Sequence, residues 1–229
     1  TLKVSLKTPK KTNLFDHHMA VLDILTSSPD LKQKGDLELL FTSLFHHAGK
    51  VKPQGSQTPL KDLQKTAAHL AKLWLKKYKA SMLGIKEDNI LKLIENYPFP
   101  NTSQDSEKVL RHFIYRIGQD LIFKLIDLKI ADSKAQNCPK QIKESLALRK
   151  KIQTEIDKKP PFSLRDLQLN GQDLIKMGYK EGQLLGKIIQ SLMKRVLDEP
   201  KENKAKLLKK YVQEHYPIKL KQNLISKKA

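Results

Sequence analysis

Hydrophobic period constrains this chain more than any other feature. Apolar residues recur every three to four positions in HHMAVLDIL, DLELLFTSLFHH, KDLQKTAAHLAKLWLKKY, EDNILKLIENY, SEKVLRHFIYRIGQDLIFKLIDLKIADSKAQ and PKQIKESLALRKKIQTEIDKK, and no run alternates with the period of two that marks a half-buried strand. Between these segments lie breaker-rich stretches: TSSPD, KPQGSQTP, YPFPNTSQ, NCP, KKPPFS and DEPKEN. The expected fold class is therefore all-α, with about nine or ten helices. A hydrophobic content of 39% suits a globular chain. No apolar run approaches the roughly 20 residues needed to cross a bilayer.

Charge supplies the first functional constraint. Lys and Arg number 44 against 24 Asp and Glu, a formal net charge of +20. Self-repulsion makes such an excess unfavourable for folding, but it attracts polyanions, with RNA or DNA foremost and an anionic membrane surface second. The excess is concentrated towards the end. Residues 139–229 hold 22 Lys and Arg against 10 Asp and Glu, or +12, which leaves +8 for residues 1–138. On this basis the chain divides into a helical body, 1–138, and a smaller basic helical tail, 139–229, which is the part expected to face nucleic acid. The single cysteine, Cys138, allows no internal disulfide and fits a reducing, cytoplasmic setting. Because the chain starts at Thr1 rather than Met, a domain cut from a longer protein is expected.

Four of the nine glycines fall in LNGQDLIKMGYKEGQLLGKIIQSL: Gly171, Gly178, Gly182 and Gly186. Gly178 reads as the left-handed end of a short helix, and Gly182 as the start of the next. That next helix carries an apolar stripe of Leu184, Leu185, Ile188, Ile189, Leu192, Met193, Val196 and Leu197, with Lys187, Lys194 and Arg195 off it. Gly186 lies inside the helix, where glycine costs about 1 kcal/mol relative to alanine. Close packing of another helix is the expected reason, with or without a phosphate held at the helix N-terminus. A Walker phosphate loop is excluded, because Gly182 is followed by Gln183 and Gly186-Lys187 by Ile188.

The tail segment SLRDLQLNGQDLIKMGYKEGQLLGKIIQSLMKRVLDEPKENKAKLL resembles the tail of the class II nucleotidyltransferases, the bacterial-type CCA-adding tRNA enzymes and bacterial poly(A) polymerases. The resemblance rests on Leu169, Gly171, Asp173, Leu174, Gly178, Gly182, Gly186, Ile188 and Ile189, with Asn203 after the helix. A second segment, LFDHHMAVLDIL followed by DLELLFTSLFHHAGK, resembles the HD-type region of that family, with His17 and His46 at the two histidine positions and Asp132 at the final acidic one. In that pattern two histidines and two aspartates bind a divalent ion that activates water for attack on phosphate esters.

This sequence departs from the pattern at His47, which stands where the aspartate is usual, while Leu63 and Tyr97 stand where further histidines are common. His17, His46, His47 and Asp132 therefore read as a vestigial set, and no metal and no cofactor is expected in this chain. His18, His69, His112 and His215 have no partner pattern and read as surface or edge residues.

No Asp-x-Asp pair, glycine-rich strand or nucleotide-choosing Arg-Arg-Asp run occurs, so nucleotidyl transfer by this chain alone is not expected. The resemblance implies the body and tail of a tRNA or RNA nucleotidyltransferase. Its head and neck would lie elsewhere in the parent chain and would use Mg²⁺ with CTP or ATP. RNA, chiefly tRNA, is the implied partner, and no membrane is. Lys180, Lys187, Lys194, Arg195, Lys204, Lys209 and Lys210 are the candidate RNA contacts. The alternatives are an HD-type metal-dependent phosphohydrolase acting on nucleotides or RNA ends, and a helical scaffold or membrane-surface protein.

Overall fold

A computed structural model describes residues 13–50, 60–99 and 106–218. Ten α-helices and four short 3-10 turns make up the described elements, and no strand is among them. The chain forms two compact units, Thr1–Asp157 and Lys158–Ala229.

The first unit holds α1 (Leu14–Ser27), α2 (Leu37–Phe45), α3 (Leu60–Lys77), α4 (Glu87–Glu95), α5 (Glu107–Ile117), α6 (Gln119–Ala135) and α7 (Pro139–Asp157). Asn13 and Asp36 cap α1 and α2 by accepting the backbone N–H of Asp16 and Leu39. The SEKV…KAQ run is two helices, because Gly118 takes φ +95° between α5 and α6.

Helix α6 forms the axis of the unit. Leu121, Ile122, Leu125, Ile126, Leu128, Ile130 and Ala131 are all buried, so it is apolar around most of its circumference. It packs against α1, α2, α4, α5 and α7. A second cluster joins Ala67, Ala68, Ala71 and Leu75 of α3 to Ile90 and Ile94 of α4. Small alanines on α3 allow the two helices to approach closely, while Leu70 and Trp74, which share its apolar period, remain partly exposed.

The boundary between the units falls after α7, not at 138/139 where the charge changes. Helix α7 is basic in composition, but its buried residues belong to the body: Leu148 and Ile152 are fully buried. Its Arg149 pairs with the buried Asp127 of α6 and donates to the Asp30 carbonyl at 2.9 Å. Its Glu155 accepts from Arg111 of α5 at 2.9 Å. Charge counted along the sequence cannot distinguish a cation facing solvent from one committed to a buried partner.

The second unit comprises α8 (Gly171–Lys176), α9 (Gln183–Asp198) and α10 (Ala205–His215). Ile188, Leu192, Met193, Val196 and Leu197 form the buried stripe of α9, as its period predicts, while Leu184 is half exposed.

Candidate functional site

His17 and His18 enter the first core through the apolar stripe of α1, whose buried residues are Leu14, His17, His18, Val21 and Leu25. His46 is the C-cap of α2, and His47 comes next in the turn. Gly49 lies in the adjoining 3-10 turn, where an added Cβ would sit 1.9 Å from the Leu63 carbonyl oxygen of α3. The sequence HHAGK therefore packs backbone to backbone against α3, which fixes where both histidines point. Asp132 reaches the same place from the last turns of α6.

All four candidate residues of the vestigial set come together. His17, His46, His47 and Asp132 are buried, and each offers a donor atom lying within 4.8 Å of the others. His17 Nε2 is 2.8 Å from Asp132 Oδ1, His47 Nε2 3.7 Å and His46 Nε2 3.8 Å. The supporting atoms are equally specific. His46 Nδ1 lies 2.7 Å from the Ser43 carbonyl, which can only accept, so this nitrogen carries a proton and Nε2 faces Asp132. Gln136 donates to Asp132 Oδ1 at 2.8 Å, and the Tyr97 hydroxyl donates to Oδ2. Tyr97 thus serves as a hydrogen-bond donor to the aspartate.

Electrostatics follow from burial. Burial raises the Asp132 pKa, but the imidazoles of His17, His46 and His47 beside it outweigh burial and hold the carboxyl well below the usual range. Burial, reinforced by His46, lowers His47 to about 3 against the upward pull of Asp132. Burial and then the Asp132 charge push the Tyr97 hydroxyl well above its ordinary value. Lys50 is held below the lysine range by burial, with the Asp132 charge opposing.

His18 corrects the sequence reading. It is buried, its ring centroid is 5.0 Å from that of His46, and burial with its neighbours lowers it to about 2. The stripe Leu14, His17, His18, Val21, Leu25 was the signal that could have placed it inside. His69 and His215 are exposed as expected, the latter stacked on Tyr211 at 4.1 Å.

In the second unit Gly178 and Gly182 have φ of +98° and +137°, at the turn between α8 and α9 where the sequence requires them. Gly186 does not pack against a helix. It is exposed, and a Cβ there would meet nothing within 4 Å. It lies on the side of α9 away from Ile188 and Leu192, so the expected close helix contact is absent among the described residues. Lys180, Lys187, Lys194, Lys204, Lys209 and Lys210 are all exposed. Arg195 differs: its guanidinium bonds Glu202 at 2.8 Å and lies 4.6 Å over the Tyr211 ring.

The other residues of the tail pattern bind the unit together. Asn203 accepts from the Gln168 N–H at 2.9 Å and donates to the Asp166 carbonyl at 2.8 Å. Asn170 and Asp173 form a capping box at the start of α8. The buried Tyr179 donates to the Tyr216 carbonyl at 2.8 Å.

Two helical units, one enclosing a histidine–aspartate cluster and the other rich in exposed lysine, place the chain in the all-α class. Within that class it belongs to the tRNA nucleotidyltransferase domain 2 family, whose model matches residues 60–212. The chain thus carries a body domain of that transferase family. His17, His46 and His47 precede the matched span, and Asp132 lies inside it. No curated protein and no solved structure matches the chain significantly. No helix of the described residues is long and apolar enough to cross a membrane.

Proposed function

We propose that this chain is the RNA-holding body and tail of a nucleotidyltransferase, positioning the 3′ end of tRNA or another RNA for CCA or poly(A) addition. In this reading the head and neck of the parent enzyme perform the transfer with Mg²⁺ and CTP or ATP. The second unit holds the substrate through its phosphates, which sets register and carries little sequence information.

One observation carries the reading. The second unit holds 17 Lys and Arg against 7 Asp and Glu, so fewer than a third of the residues supply +10 of the +20 net charge. Lys187 and Lys194 project from the exposed side of α9, where Gly186 leaves the helix backbone uncovered. An exposed mid-helix glycine contributes nothing to the fold, but it permits close approach of a sugar–phosphate backbone. Arg195 serves this surface by holding α9 to the 3-10 turn at Glu202 and to Tyr211 of α10.

A salt titration of tRNA binding tests the proposal. Counterion release gives a log–log slope of about −0.7 to −0.9 per phosphate neutralised. Replacing Lys180, Lys187 and Lys194 with glutamine should weaken binding and flatten the slope by about one unit per lost contact, with the helical spectrum unchanged. An unchanged affinity and slope would move the contact surface away from α9.

A further inference from the structure

We propose that His17, His46, His47 and Asp132 form a zinc-class transition-metal site with a structural role, clamping α1 and the end of α2 onto α6. The inference is independent of the RNA reading and concerns only the first unit.

The donor set argues for the metal type. Three imidazoles and one carboxylate make a borderline-soft set, suited to Zn²⁺, Co²⁺ or Ni²⁺ and poorly suited to Mg²⁺, which demands oxygen ligands. The sequence weighs against a metal because His47 occupies an aspartate's place. The geometry removes that objection, since His47 Nε2 points at the same Asp132 oxygen as His17 and His46. The substitution changes which ion fits and leaves the number of donors at four.

The surroundings argue for a built site. His46 Nε2 and His47 Nδ1 are buried without a hydrogen-bond partner, while His17 Nε2 is met by Asp132 Oδ1 at 2.8 Å. Such orphaned polar atoms are costly unless something satisfies them. The outer contacts are those that orient metal ligands: a backbone carbonyl on His46 Nδ1, and Tyr97 and Gln136 on the carboxylate. Donors of a tetrahedral zinc shell lie about 3.3 Å apart. The four donors lie within 4.8 Å of one another, so a shift of about 1.5 Å in the outermost pair brings them to that spacing.

The count argues for the role. Four protein ligands fill a tetrahedral shell, whereas a hydrolytic zinc keeps one position for water. The ligands come from three separate helical elements, so a shared ion would link contacts distant in sequence and add to folding stability.

The test uses the whole chain, stripped with chelator and then equilibrated with Zn²⁺, Co²⁺ or Mg²⁺. Elemental analysis should find about one zinc per chain. The melting temperature should rise by several degrees with Zn²⁺ and stay unchanged with Mg²⁺. The Co²⁺ form should show the intense visible bands of four-coordinate cobalt, a readout that needs no variant. Asp132→Asn and His46→Ala should lose both metal and stabilisation, while His69→Ala, at an exposed position, should keep them. Zinc well below stoichiometry in the wild type, or zinc retained equally by folded Asp132→Asn and His46→Ala proteins, would overturn the site. Zinc-dependent phosphodiester hydrolysis abolished by Asp132→Asn would overturn the structural role.

Discussion

Replacing Gly186 with alanine isolates one quantity. The position is the fourth residue of the 16-residue α9, and a Cβ there would meet nothing within 4 Å. Alanine therefore gains no packing and suffers no clash. What remains is the backbone entropy that glycine loses in a helix interior, about 1 kcal/mol. The variant should be more stable by about that amount. In a unit of this size such a gain corresponds to a rise in melting temperature of roughly 4–8 °C, if the second unit unfolds on its own. The assay is chemical denaturation followed by circular dichroism, where the midpoint should rise with no change in slope. Loss of stability would refute the reasoning, since it would require a contact at Gly186 that the described residues do not make. The same variant bears on function. If the bare backbone admits an RNA strand, Gly186→Ala should weaken tRNA binding while stabilising the fold, separating two effects that most substitutions confound.

Gly49→Ala should act in the opposite direction. The new methyl would lie 1.9 Å from the Leu63 carbonyl oxygen, so backbone must move, and a loss of about 1–3 kcal/mol is expected in denaturant melts. Glu38→Gln should cost about 1–3 kcal/mol at neutral pH, because the carboxylate accepts from Lys124 at 2.7 Å, from Asn89 at 3.0 Å and from the Lys86 N–H at 3.0 Å. Burial raises the Glu38 pKa, but these partners outweigh it and the net shift is downward. Its contribution is thus fully present above the ordinary glutamate pKa and is lost as pH falls through the lower folded value. Melts from pH 7 down should show the wild type and the variant converging only once the pH falls below the ordinary glutamate range, and a constant difference would contradict the assignment.

The helical class was legible because amphipathic period survives in nearly every segment, and the break at Gly118 shows why boundaries were less so. One continuous apolar run spans α5 and α6, and only the positive φ of a single glycine divides it. The cluster at Asp132 was readable in its members and not in its state. His17, His46, His47 and Asp132 follow from the resemblance to an HD-type region, whereas the Tyr97 hydroxyl, Gln136 and the burial of His18 arise from packing between helices far apart in sequence. Charge misled at α7, since Arg149 counts as a cation along the chain and serves as the buried partner of Asp127 in the fold.

The second unit separates what holds the fold from what meets a ligand. Asn170, Asp173, Gly178, Gly182 and Asn203 cap, turn and cross-link the unit, and each performs its task through backbone groups that any sequence of this fold would have to satisfy. The exposed lysine side chains lie outside that framework, apart from Lys210, which pairs with Glu214 at 3.8 Å, while the Lys204 backbone forms the N-cap of α10. Arg195 marks the limit between the two sets: it lies off the apolar stripe, yet Glu202 and Tyr211 hold it in place. The glycine and asparagine pattern therefore specifies how α8 and α9 are held, while the charge that would attract RNA sits on exposed positions. A surface of this kind keeps polyanion binding as long as the number of lysines is kept, even when their places change. Shifting a lysine by one turn along α9 should cost less affinity than deleting it, as expected for contacts that read phosphate rather than base.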